Sequence, residues 1–135
     1  MRNTMVAASL LVALLLIAVA PALAHHSFAA EFDRSKPVTL KGTITKVEWM
    51  NPHAWIYVNV KGEDGKVVNW ALETGSPNGL TRQGWTRKSL KEGDEVTVNA
   101  FRAKDGSNTA SISRVTFADG RSVVGTNTAD GAPQQ

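Results

Sequence analysis

The 135-residue chain carries three histidines, and they fall in two places. His25 and His26 stand side by side in PALAHHSFAAEFD (residues 21–33), and His53 closes the turn-forming triplet Asn51-Pro52-His53. An internal imidazole offers a metal one nitrogen. A histidine at a chain start offers two, because its α-amine, with a pKa near 7.7–8.0, closes a chelate ring with the side chain. If His25 becomes the first residue of a processed chain, a third nitrogen from His26 or His53 completes a set that favours Cu²⁺ among divalent ions. Glu31 or Asp33 would add an axial oxygen. The plainer reading gives the His pair no role beyond a polar start. His53 is then a turn residue donating to a backbone carbonyl, its ring packed between Trp49 and Trp55.

Whether His25 becomes a terminus depends on the residues before it. Arg2 precedes an uncharged run over residues 5–20, and Ala22 and Ala24 supply an Ala-x-Ala end. A basic start, a short apolar core and small residues at a cleavage point make residues 1–24 a secretory signal peptide. The run falls short of the roughly 20 residues that a membrane span needs, which argues against an uncleaved anchor. The expected location is the periplasm or the cell exterior, with the membrane touched only during export.

Composition narrows the remaining classes. There is no cysteine, which excludes disulfides, thiol catalysis and thiolate metal sites. The 15 Lys and Arg against 12 Asp and Glu form no concentrated basic patch, so no nucleic-acid partner is expected. Residues 25–135 suffice to bury an apolar core without staples.

From residue 38 onward the chain reads as short strands. Val38, Leu40, Gly42 and Ile44 alternate with polar residues, the period of a half-buried strand. Val47 and Trp49 then take the other parity, which requires a bulge or bend near Thr45 or Lys46. Ala54, Ile56, Val58 and Val60 face one way on a second strand, with Trp55 and Tyr57 on the other face. A turn at residues 62–65 leads to a third strand through Val68, Trp70 and Leu72. Ser76 and Pro77 open a short helical segment, after which Leu80, Trp85 and Leu90 should point inward. Val96, Val98 and Ala100 mark a fourth strand, and residues 109–117 a fifth. The order predicts an all-β domain with minor helix: a five-stranded, OB-like Greek-key barrel over residues 38–124, with the helical segment between strands 3 and 4. Residues 25–37 form a leader, and residues 125–135 a disordered tail.

The segments HHSFAAEFD, VTLKGTITKVEWMNPHAWIYV, NWALETGSPNGL, GWTRKSLKEGDEVTV and AFRAKDGSNTA together resemble a family of small exported bacterial proteins built on a domain of unknown function. That resemblance implies export and a small β-barrel, and it brings no catalytic residues. The His25 arrangement in turn resembles the histidine brace of copper proteins. At ~3.3–3.6 Å per residue the thirteen-residue leader reaches ~45 Å, enough to return to the Pro52 turn.

A different ligand class competes with copper. Trp49, Trp55, Tyr57 and Trp70 cluster on strands 1–3, and aromatic faces stack on sugar rings or peptides. Trp49 and Trp70 have an alternative use as core fillers. Arg82 and Arg87, with Lys88, would add a basic rim or an ordinary solvated face. The partner would be a small ligand or an envelope protein, and an edge strand would allow purely structural docking. Glu48, Glu63, Glu73 and Asp94 read as isolated, solvated carboxylates. With no nucleophile–base–acid arrangement and no phosphate-cradling loop, the chain is not expected to be an enzyme.

Overall fold

The computed structural model describes residues 28–125. The chain divides into two compact units at Ala30/Glu31, and the described part of the first is residues 28–30, which open α1 (Phe28–Glu31). The second unit holds β1 (Phe32–Glu48), β2 (Trp55–Lys61), β3 (Val67–Glu73), α2 (Pro77–Arg82), β4 (Glu95–Ala103), β5 (Thr109–Phe117) and β6 (Ser122–Val124). It is mostly β: a six-stranded sheet in the order β3-β2-β1-β4-β5-β6, with β3 also pairing β5. That extra contact is parallel, joining Ala71 to Thr109 and Glu73 to Ser111. It closes β1, β2, β3, β5 and β4 into a ring.

β1 makes the ring possible because it is long enough to serve two neighbours. Residues 32–43 pair with β4, and residues 42–48 pair with β2. Gly42 lies where both partners meet, opposite Val60 and Val96. A Cβ there would stand 2.1 Å from the Asn59 carbonyl oxygen, so only glycine permits this approach. Register then jumps between Ile44 and Lys46, leaving Thr45 without a partner. This bulge lets Ile44 and, beyond it, Val47 and Trp49 all face the core although their spacing breaks period two. The bulged Thr45 hydroxyl is used: it donates to the Tyr57 carbonyl and accepts from Asn69 Nδ2.

β1 starts at Phe32, six residues before the alternation that marks it in the sequence, with a register shift between Phe32 and Pro37. A sixth strand also exceeds the expected five. β6 is three residues long and pairs with the outer end of β5, too short to produce a readable alternation.

Leu40, Ile44, Ile56, Val58, Leu72, Val98, Ile112 and Val115 fill the ring, and Leu80, Trp85 and Leu90 from the connection after β3 join the same cluster. Each such side chain contributes about 1.5–3 kcal/mol on burial. α2 is positioned by its first residues: the Ser76 hydroxyl accepts from the Gly79 amide, and Pro77 occupies the first turn. Trp85 is almost wholly buried, and its indole N–H donates to the Val124 carbonyl at 2.9 Å. One side chain therefore fills the core and ties β6 to the rest. Replacing Trp85 by Ala is expected to cost about 3–5 kcal/mol in urea unfolding of residues 25–135. A loss below about 1 kcal/mol would mean that the connection does not seal the core.

Candidate functional site

His53 is the one histidine among the described residues; His25, His26 and residues 1–24, the segment expected to be a signal peptide, lie outside them. His53 sits in the connection between β1 and β2, after a cis Asn51-Pro52 bond. The backbone beside it is firmly placed. Ala54 donates its amide to the Gly75 carbonyl at 3.0 Å, and its own carbonyl accepts from the Thr74 amide at 3.0 Å. These bonds extend the β2–β3 ladder past its last strand pair, Trp55 with Glu73. By strand parity His53 then falls on the outer face, the side on which Glu73 also projects.

His53 Nδ1 lies 2.7 Å from Glu73 Oε1 and 3.2 Å from the Thr74 carbonyl oxygen. A carboxylate and a carbonyl can only accept. Nδ1 must therefore carry a hydrogen, and in the neutral ring Nε2 holds the free lone pair. An N–H of a ring donated to a carboxylate is the arrangement that orients metal-binding histidines and raises their basicity. The His53 and Glu73 side chains are 24% and 14% exposed, sheltered enough for the contact to persist and open enough for a small ligand to arrive. Thr74, the second acceptor, is itself buried, and its hydroxyl donates to the Gly125 carbonyl at 2.6 Å. Gly125 packs so tightly there that a Cβ would stand 2.4 Å from Ile112 Cγ2.

Glu73 is thus not the solvated carboxylate its sequence context suggests, and neither is Glu48. Glu48 Oε2 accepts from the Tyr57 hydroxyl at 3.0 Å, and its Oε1 is hydrogen-bonded by the Lys46 ammonium. The Lys46 bond and then the Tyr57 bond hold the Glu48 carboxyl below its ordinary pKa. Burial, then the bond to Glu48, pushes the Tyr57 phenol up. Lys46 Nζ also lies 5.3 Å from the centre of the Tyr57 ring. Asp94 has a local task, accepting from the Lys91 amide in the turn before β4, while Glu63 is exposed.

The other anticipated site residues divide clearly. Trp55 and Tyr57 lie on the outer face, both partly exposed, with Trp55 between Glu48 and Glu73 in register. Trp70 belongs to the core, with the Arg102 guanidinium 5.1 Å from its ring, and Trp49 packs against that core. Trp49 also lines a small apolar recess with Val47, Ile56, Trp85 and Leu90, and Arg87 stands at its edge. Arg82 ends α2 and is exposed. Asp33 is occupied by its own neighbours: it accepts from the Ser35 amide and hydroxyl and lies 3.6 Å from Lys36. The Ser35 bonds first, then Lys36, hold its carboxyl below the usual range. Among the described residues no three His, Asp or Glu side chains gather as a metal cage, so neither Glu31 nor Asp33 joins the His53–Glu73 pair.

Glu73 was the functional partner that sequence reasoning missed. Its signal lay in the turn at residues 62–66, closed by the Gly62 amide donating to the Lys66 carbonyl. Once that turn is fixed, counting outward sets Glu73 opposite Trp55.

Fold and site together define a small, mostly β protein that presents one carboxylate-oriented imidazole beside the end of a closed strand ring. Residues 12–112 match DUF6152, described as a family of unknown function, and the chain belongs to that family. No curated protein and no solved structure matches the chain.

The Lys46–Glu48–Tyr57 cluster makes a pH prediction. A carboxyl whose pKa is lowered by folding contributes stability above its unfolded value and loses it as the pH falls through the folded one. Tyr57→Phe should therefore destabilise the protein at about pH 7 and less at about pH 3, below the unfolded carboxyl value, as Glu48 takes up its proton. Equal losses in urea unfolding at both pH values would contradict this coupling.

Proposed function

We propose that this is an exported protein of OB-like Greek-key barrel form that binds copper through its processed N-terminus. His25 supplies the α-amine and a ring nitrogen, and His53 Nε2 supplies the third nitrogen. His26 is the alternative third donor, and only in that alternative would Glu31 or Asp33, which stand apart from His53, supply an axial oxygen. The observation that carries the reading is the double acceptor on His53 Nδ1, which leaves Nε2 as the one ring position able to take a metal. Glu73 then acts as the outer partner that fixes the ring. The strand ring in the order β1-β2-β3-β5-β4, with α2 after β3, supports the barrel reading. The role suggested is delivery, buffering or sensing of copper in the periplasm or outside the cell.

A second reading is a non-metal binding module for a glycan, a peptide or an envelope partner. The observation in its favour is the outward placement of Trp55 and Tyr57 on alternate positions of β2. Trp49 and Trp70 add little to it, since both are engaged with the core. Exposed Arg82 and Arg87 would serve as a rim.

Titration with Cu²⁺ separates the two. Protein beginning at His25 should bind one Cu²⁺ at sub-micromolar concentration, and a single residue added before His25 should abolish this. Glu73→Ala should weaken binding about 10–100-fold. Equal affinity in the extended protein would refute the copper reading. A tryptophan fluorescence response to a glycan or peptide panel, cancelled by Trp55→Ala, would then favour the module.

A further inference from the structure

The proposed copper site leaves one conspicuous side chain unused. Met50 is 54% exposed, among the few large hydrophobic residues the described fold leaves in solvent. Its position is not arbitrary. Glu48 and Trp55 are the last paired residues of the β1–β2 ladder, so the connection between them runs over residues 49–54. Trp49 and Ala54 are its first symmetric pair, and both turn toward the core. Met50 and His53 follow at the tip, three residues apart in the same short connection and both outside the buried core. That separation spans at most about 10 Å of chain, within the combined reach of the two side chains.

The donor chemistry of this pair differs from that of the processed terminus. A thioether is a soft ligand that selects Cu(I) and binds Cu²⁺ poorly, whereas an amine–imidazole set prefers Cu²⁺. An exposed thioether forfeits burial that a buried methionine would gain, so the tip has no packing reason for this residue. Three residues on stands the imidazole whose Nδ1 is clamped by Glu73 and Thr74, with Nε2 left to accept a metal.

We infer that Met50 and His53 form a binding site for reduced copper at the tip of the β1–β2 connection, with Met50 Sδ and His53 Nε2 as ligands. The inference rests on the copper reading for its use of His53, but it does not need the processed terminus. His53 is then shared: the nitrogen set at His25 recruits it for Cu²⁺, and Met50 recruits it for Cu(I). The protein would hold copper in either oxidation state by exchanging one neighbour of a fixed imidazole. No electron transfer is implied by this exchange.

The test uses Cu(I) kept reduced under anaerobic ascorbate and competed against a colorimetric Cu(I) chelator, beside Cu²⁺ titration of the same samples. Met50→Leu suits the purpose because an exposed side chain can be exchanged without disturbing the core. It should weaken Cu(I) binding at least tenfold and leave Cu²⁺ affinity unchanged. Processed protein from residue 25 contains Met50 as its one methionine, so its methyl resonance is unambiguous and should shift on adding Ag⁺, a redox-inert stand-in for Cu(I). The inference is overturned if Met50→Leu binds Cu(I) as tightly as the parent, if the parent binds no Cu(I), or if Ag⁺ leaves the methyl resonance unmoved. The two proposals fail separately. Cu²⁺ binding that is unaffected by extending the terminus refutes the N-terminal site, and Cu(I) binding indifferent to Met50 refutes this one.

Discussion

Two acceptors on a single ring nitrogen govern what this molecule offers its surroundings. Because Glu73 and the Thr74 carbonyl both face His53 Nδ1, the proton on that ring is fixed, and so is the direction in which it can bind. The clamp depends on the β2–β3 ladder. Trp55 pairs with Glu73, and the ladder's extension through Ala54, Thr74 and Gly75 sets the height of His53 against its partners. A slip of β3 by one residue in that register would turn Glu73 toward the core and leave His53 on the outer face without its partner.

The ladder is in turn maintained from further off. Thr74 is buried and bonded to Gly125, and β6, which ends one residue earlier, accepts the indole N–H of Trp85 through Val124. The last described residues thus connect the core cap to the backbone that carries the site. This gives a physical reason for a three-residue strand too short to be stable alone. It also accounts for the glycine at position 125, where Ile112 leaves no space for a side chain.

Much of this architecture was legible in the sequence. Alternating apolar residues placed the second, third and fourth strands, the fifth was bounded at residues 109–117, and the broken parity between Ile44 and Val47 predicted a bulge near Thr45 or Lys46, which the structure has at Thr45. Ser76 and Pro77 announced α2 by capping chemistry. The early start of β1 was not legible, because residues 33–37 are exposed and polar and carry a register shift. Carboxylate roles were harder still. Glu48 and Glu73 look alike in sequence to any solvated acid, and only cross-strand register brings one to Tyr57 and Lys46 and the other to His53. Trp55 and Trp70 were separable by parity alone: Trp55 alternates with the inward Ile56 and Val58, whereas Trp70 shares its parity with Leu72, and the structure has Trp55 partly exposed and Trp70 in the core.

The account stands or falls on which nitrogen of His53 carries the proton. Nitrogen-15 NMR of the metal-free protein at about pH 8, where an ordinary imidazole is neutral, reads this directly. The prediction is a protonated Nδ1 and a bare Nε2, with the preference lost in Glu73→Ala. A ring protonated at Nε2, or one exchanging freely between both forms, would contradict it.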